Sequence, residues 1–203
     1  MAKTPANTEE KIKDAAHQLF LEKGFGGTTT RDIAKCANTN IALVNYYFRS
    51  KENLFREVFQ EGFANTFLPV AKILNDDFPL EVKIYKFVDH MTELLKSDPM
   101  MPLFVLSEMR SGQSQMCEIM LKSGAMDSNG FQLQLDREAD AGKIREADAL
   151  QVETSLMAMV LFPFLSMNIL KMKHQMDDTA FDEFVDARKK VIPEIILSYL
   201  RLP

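Results

Sequence analysis

Three consecutive threonines, Thr28, Thr29 and Thr30, stand just ahead of a stretch with helical periodicity, and Lys51 opens another. Hydroxyls and free backbone amides at the start of a helix can hold a phosphate, and a lysine there adds a point charge. That chemistry is binding rather than bond-breaking. The chain has no GxSxG, no phosphate-binding glycine loop, no HExxH, and no Ser/His/Asp grouping whose spacing argues for catalysis. His17, His90 and His174 are scattered, and the thirteen methionines form no MxxM array near His or Cys, so neither metal nor cofactor is expected. The methionines read as adaptable apolar filler. Cys36 and Cys117 form no CxxC pair. A disulfide framework is therefore not expected, Cys36 has no evident resolving partner as a thiol sensor, and a reducing cytoplasm fits.

The elements that must position these residues are helices. Gly and Pro are scarce, at eight each, and 46% of the chain is hydrophobic. That balance favours an all-α fold with a substantial core. Asn7 with Glu10 reads as a capping box opening a first helix, in which Ile12, Ala15, Ala16, Leu19 and Phe20 recur at helical spacing. Gly24 stands where a C-terminal cap belongs. After the bend at Phe25-Gly26-Gly27, Thr29 with Asp32 forms a second capping box. It starts a short helix with Ile33, Ala34 and Ala37 inward. Asn38 tolerates the left-handed conformation that ends it. Asn40 then caps a third helix, from Ile41 to about Tyr47, and Ser50 a fourth. Two short helices joined by three or four residues, behind a longer first helix, have the layout of a helix-turn-helix.

From Thr29 to Leu54 the chain resembles the tetracycline-repressor (TetR) family. The resemblance runs from Asn7 to about Glu61 and rests on Ile33-Ala34, Ala37, Tyr46-Tyr47-Phe48, Ser50-Lys51-Glu52 and Leu54 at fixed offsets. Two positions depart from the family: Asn38 replaces its usual Gly, and Thr39 its usual small aliphatic residue. The resemblance implies that Asn40, Ala42, Leu43, Asn45, Tyr46 and Tyr47 face DNA, with Thr28, Thr29, Thr30 and Lys51 toward phosphates. Val44 and Phe48 are expected to pack inward against Ile33 and Phe20. An Asn can read adenine, and Ala or Leu can touch a thymine methyl, while the tyrosines suit phosphates. The expected division is a DNA-binding domain at 1–50, with its motif at about 29–48, and a ligand-binding and dimerisation domain at 51–203.

Past residue 70 the family's motifs no longer transfer, and periodicity takes over. Pro79 suits the first turn of a helix to about Lys96, with Leu80, Ile84, Phe87, Val88, Met91, Leu94 and Leu95 inward. Short segments are expected around Leu103–Met109 and Met116–Leu121, with a weak point at Ser123–Gly130. Asp148 with Gln151 should cap a long helix to about His174, bent at Pro163. Thr179 with Asp182 should cap the last helix, whose stripe is Phe181, Phe184, Val185, Arg188, Ile192, Ile195, Ile196 and Tyr199. The apolar run at 156–170 is fifteen residues, short of the ~20 that cross a bilayer, so no membrane association is expected. The resemblance implies that these last two helices form a homodimer interface and that the body holds a cavity. Phe104, Glu108, Met109, Met120, Phe131, Met159 and Phe162 are the candidate lining residues.

The formal charge of −5 is uneven: residues 1–60 carry +2 and the remainder −7. A mildly basic head on an acidic body suits a local nucleic-acid contact. The N-terminus carries no signal-peptide pattern. The expected function is a cytoplasmic, ligand-responsive transcriptional regulator, a repressor released from a palindromic operator by a small apolar or amphipathic effector. An activator, a corepressor-dependent regulator, and a helical carrier or enzyme without a DNA role are the alternatives.

Overall fold

The computed structural model of the protein describes residues 5–98, 118, 122 and 129–202. Among the described residues every regular element is an α-helix: α1 (Pro5–Gly27), α2 (Thr30–Cys36), α3 (Ile41–Phe48), α4 (Lys51–Asn75), α5 (Leu80–Ser97), α6 (Asn129–Asp140), α7 (Ala149–Leu165), α8 (Met167–His174) and α9 (Asp178–Leu200). The described chain divides into two compact units. One comprises the residues through Asn65 with Glu118 and Lys122; the other begins at Thr66. This division falls within α4, whereas the expected boundary at residue 50 lies just before it.

The first unit is built on one apolar stripe of α1. Ile12, Ala15, Ala16, Leu19 and Phe20 are buried, as the spacing predicts. Phe20 meets Phe55 edge-on at 5.0 Å, and Phe55 lies 4.7 Å from Phe59 and 5.0 Å from Phe25. These aromatic contacts tie α1 to the start of α4. Gly24, at φ 71° and ψ 170°, breaks the helical path of α1 where the C-terminal cap was expected. The helix itself already runs at Pro5, so Asn7 is not its cap. Ile33 and Ala34 of α2 and Val44 and Phe48 of α3 are buried in the same unit.

In the second unit α5, α7 and α9 pack on one another around Phe87, Met91, Leu156, Val160, Ile192 and Ile196. The α5 stripe is as expected, except that Leu94 is half-buried and Lys83, a charged residue at an inward position between Leu80 and Phe87, is buried. Lys83 donates to Gln134 Oε1, and Gln134 Nε2 donates to the carbonyl of Phe78 at 3.0 Å, which pins α6 to the start of α5. Burial pushes the Lys83 ammonium below its usual range. Gly130 sits so close to Asn75 that a Cβ would lie 2.7 Å from Asn75 Oδ1, an atom that accepts from the Gly130 amide.

Three expectations about this unit need correction. The helix expected from 148 to 174 is two helices, α7 and α8, bent by 64°. The break is at Ser166, three residues past Pro163. Proline has no amide to offer the carbonyl of Met159. Arg188 Nη2 takes that role, donating to Met159 O at 3.0 Å. Second, α9 is capped by Asp177, whose side chain accepts from the Ala180 amide, rather than by Thr179. Third, Pro79 is the residue before α5 rather than part of its first turn.

A charge cluster joins α5 to α9. Lys96 donates to Asp186 at 2.9 Å, and Lys189 bridges Asp89 at 3.0 Å, Asp186 at 3.5 Å and Glu93. The hydrogen bond from Lys96 holds the Asp186 carboxyl below the usual value of 3.8. The folded value is the lower one, so the unfolded chain takes up the proton first. The stabilisation is complete above about pH 4 and is lost as pH falls through the folded value. Thermal unfolding followed from pH 6 to pH 2 should show a falling midpoint below about pH 4, and Asp186→Asn should flatten that fall.

Candidate nucleic-acid interface

The recognition unit is assembled by local capping. Thr29 Oγ1 accepts from the Asp32 amide at 3.2 Å, while the Thr29 amide donates back to Asp32 Oδ2 at 3.1 Å, completing the capping box. The Thr29 hydroxyl also donates to that carboxylate at 2.6 Å. These bonds hold the Asp32 carboxyl below its usual range. After α2, Asn38 takes φ 49°, the left-handed residue the turn requires. Asn40 Oδ1 accepts from the Leu43 amide at 2.8 Å and starts α3. Two short helices are thereby set across a tight turn, with Val44 and Phe48 anchoring the inner face of α3.

The outer face of α3 carries the residues expected to meet DNA. Ala42, Asn45 and Tyr46 are exposed, Tyr46 by 77%. Leu43 and Tyr47 are half-buried on one flank. The Tyr46 and Tyr47 rings meet edge-on at 5.3 Å, which limits the freedom of the Tyr46 phenol. Asn40 is exposed, and its side-chain oxygen is committed to the cap. Thr29 and the half-buried Thr30 stand at the start of α2.

Two expected phosphate contacts are turned inward. Thr28 is 0% exposed, and its Oγ1 lies 3.0 Å from the Leu19 carbonyl and 2.9 Å from that of Gly24. Its hydroxyl staples the broken end of α1 rather than meeting a ligand. Lys51 Nζ donates to the carbonyls of Phe25 and Thr28, each at 2.8 Å, and sits 4.1 Å from the centre of the Phe25 ring. The ammonium thus adds a donor to carbonyls at the turn between α1 and α2, where helical hydrogen bonding ends. Only one of its three N–H groups remains for a phosphate. Arg49, passed over in the sequence, is an exposed cation directly after α3, at φ 65°. Its position one residue past the inward Phe48 was the signal that could have found it.

Three of the candidate effector residues are among those described. Phe104, Glu108, Met109 and Met120 lie outside the described residues. Phe131 is fully buried in the core of the second unit. Met159 is half-buried, and Phe162, expected to line a cavity, is 62% exposed on the outer side of α7. A helix that is apolar nearly all round gives no periodicity with which to sort its faces, so the exposure of Phe162 is not legible in the sequence.

A helix-turn-helix with these exposed positions defines a class, and comparison with known proteins gives its relatives. The sequence model for "Bacterial regulatory proteins, tetR family" matches residues 12–58. Over those residues the helix-turn-helix unit is similar to that of the tetR family of bacterial regulatory proteins. Over 63 residues the chain is 43% identical to the probable HTH-type transcriptional regulator YttP of Bacillus subtilis, covering 30% of each chain. Over 80 residues it is 35% identical to IcaR of Staphylococcus epidermidis, the HTH-type negative transcriptional regulator of a biofilm operon, covering 39% of this chain and 43% of that one. The chain thus spans less than half the length of these relatives. The fold extends further: the structure of the regulator FadR from Bacillus subtilis, in complex with stearoyl-CoA, matches with a TM-score of 0.64 at 18% identity, over 95% of this chain and 99% of that one. No single described helix is long and apolar enough to cross a membrane.

Proposed function

We propose that the protein is a ligand-responsive transcriptional repressor that binds a palindromic operator as a dimer in the cytoplasm. The observation that carries this reading is the α2–turn–α3 unit, capped at both starts and presenting Ala42, Asn45 and Tyr46 outward. An α-helix with an exposed amide and small apolar groups fits the major groove, where those groups distinguish base edges. The repressor sense is supported by IcaR, a negative regulator, and the amphipathic character of the effector by FadR, whose structure holds stearoyl-CoA. Thr29, Thr30, Asn40, Tyr46 and Tyr47 would position the backbone, Asn45 would read a base, and Ala42 and Leu43 would touch thymine methyls.

The dimer reading has support in the second unit. Leu150 and Phe162 on α7 and Val191, Ile195 and Tyr199 on α9 are large apolar side chains left exposed in the single chain. A second copy would cover them. Release would then be a population shift, with the effector favouring a dimer whose reading helices no longer match the operator. A tenfold loss of operator affinity needs ~1.4 kcal/mol of coupling.

The test is direct. Duplexes enriched by the protein from a random pool are mutated one base pair at a time and titrated with wild type and Asn45→Ala. The variant should lose its preference at one base pair in each half-site, about 1–3 kcal/mol of discrimination, and keep the rest. An identical specificity profile for the two proteins would remove Asn45 as a reader. A thermal-shift screen of fatty acids and acyl-CoA thioesters, with operator affinity measured for each stabilising compound, tests the effector. Stabilisation that leaves operator affinity unchanged would contradict the coupling.

A further inference from the structure

With Thr28 and most of Lys51 engaged in the fold, the charge that holds DNA backbone beside α3 has to come from elsewhere. On the Leu43/Tyr47 flank of α3 lies an open trough of about 490 Å³, lined by Thr8, Lys11, Ala37, Asn38, Thr39, Asn40, Leu43 and Tyr47. One wall is the start of α1, another is the helix-turn-helix turn, and the third is the reading helix itself. Among the described residues its lining contains one cation, Lys11, an exposed residue, and no carboxylate. Thr8 and Thr39 bring hydroxyls, Asn38 and Asn40 amides, and Tyr47 a phenol. Lys13, by contrast, is held between Glu9 and Glu57 at 3.5 Å each and is not available to this trough.

From this convergence we propose that the trough seats the DNA sugar–phosphate strand flanking the groove that α3 enters, with Lys11 as its phosphate contact and Thr8, Thr39 and Tyr47 as hydrogen-bonding neighbours. A helix lying in the major groove has a phosphate strand along each flank, and a concave, cationic, carboxylate-free wall beside it suits one of them. The inference rests on the DNA-binding reading above and assigns a contact to the first helix, outside the helix-turn-helix motif.

The experiment is a salt titration of binding to a mixed-sequence DNA duplex by wild type, Lys11→Ala, Lys11→Arg and, as a control for net charge, Lys72→Ala in the second unit. Each phosphate neutralised contributes about 0.9 to the slope of log affinity against log salt. Lys11→Ala should lower the slope by about one unit and weaken binding to all sequences alike, Lys11→Arg should restore it, and Lys72→Ala should leave it unchanged. Lys11 is exposed, and helical content by circular dichroism should not change. A wild-type slope retained by Lys11→Ala, or lost equally in Lys72→Ala, overturns this inference alone. Wild-type protein that binds with no salt dependence overturns the DNA-binding reading and this inference with it.

Discussion

Lys51→Ala is expected to lower the thermal stability of the protein as well as its affinity for DNA. The ammonium makes two 2.8 Å hydrogen bonds to the carbonyls of Phe25 and Thr28 and packs on the Phe25 ring. Hydrogen bonds to a charged donor each contribute about 1.5–3 kcal/mol, and the half-buried setting places the combined loss at about 2–3 kcal/mol. A lysine that touched only phosphates would do the opposite: stability would hold, and the salt slope alone would fall by about one unit. Lys51→Met separates the contributions, because it keeps the stem over Phe25 and removes the donors. Calorimetric midpoints for the three proteins decide the matter. An Ala variant as stable as wild type would contradict the inward role of Lys51.

Ile195→Glu should abolish the dimer while the single chain keeps its helical content. Ile195 is 49% exposed in one chain, beside Tyr199 at 47%, so a carboxylate there costs the isolated fold little. Buried against a second copy, the same carboxylate would cost about 3 kcal/mol or more, at least about a hundredfold in the dissociation constant. The effect on DNA is larger still. A dimer engages its second half-site at an effective local concentration, and losing that linkage costs about 10²–10⁴ in affinity. Sedimentation at micromolar concentration should give twice the chain mass for wild type and the chain mass for the variant. A wild-type monomer, or a variant that remains dimeric, would place the interface elsewhere.

The parts of the fold that were legible in the sequence are those written in short-range chemistry. Thr29 with Asp32, Asn38 and Asn40 announce the start of α2, its end and the start of α3, because capping and left-handed turns act within three or four residues. The inward stripes of α1 and α5 follow from periodicity alone. What was not legible depends on long side chains and distant partners. Lys51 reaches back 23 and 26 residues to its two carbonyls, and nothing in its spacing tells an inward from an outward ammonium. Arg188 is a stripe residue in sequence, yet its task is to satisfy a carbonyl 29 residues earlier that Pro163 leaves without a donor. The Ser166 break, where Oγ donates to the Phe162 carbonyl at 2.7 Å, is hidden inside an apolar run that reads as one helix.

Selection of bound duplexes from a random-sequence pool, followed by footprinting of the winner, tests the DNA-binding claim most directly. A dimer that presents two α3 helices predicts a pseudo-palindrome whose half-site centres lie about one helical turn apart, or a little more on bent DNA. Protection should cover both half-sites at the same protein concentration. A pool that acquires no consensus after selection, or a consensus bound equally well by a variant with Ala at both Asn45 and Tyr46, would contradict α3 as the reading helix.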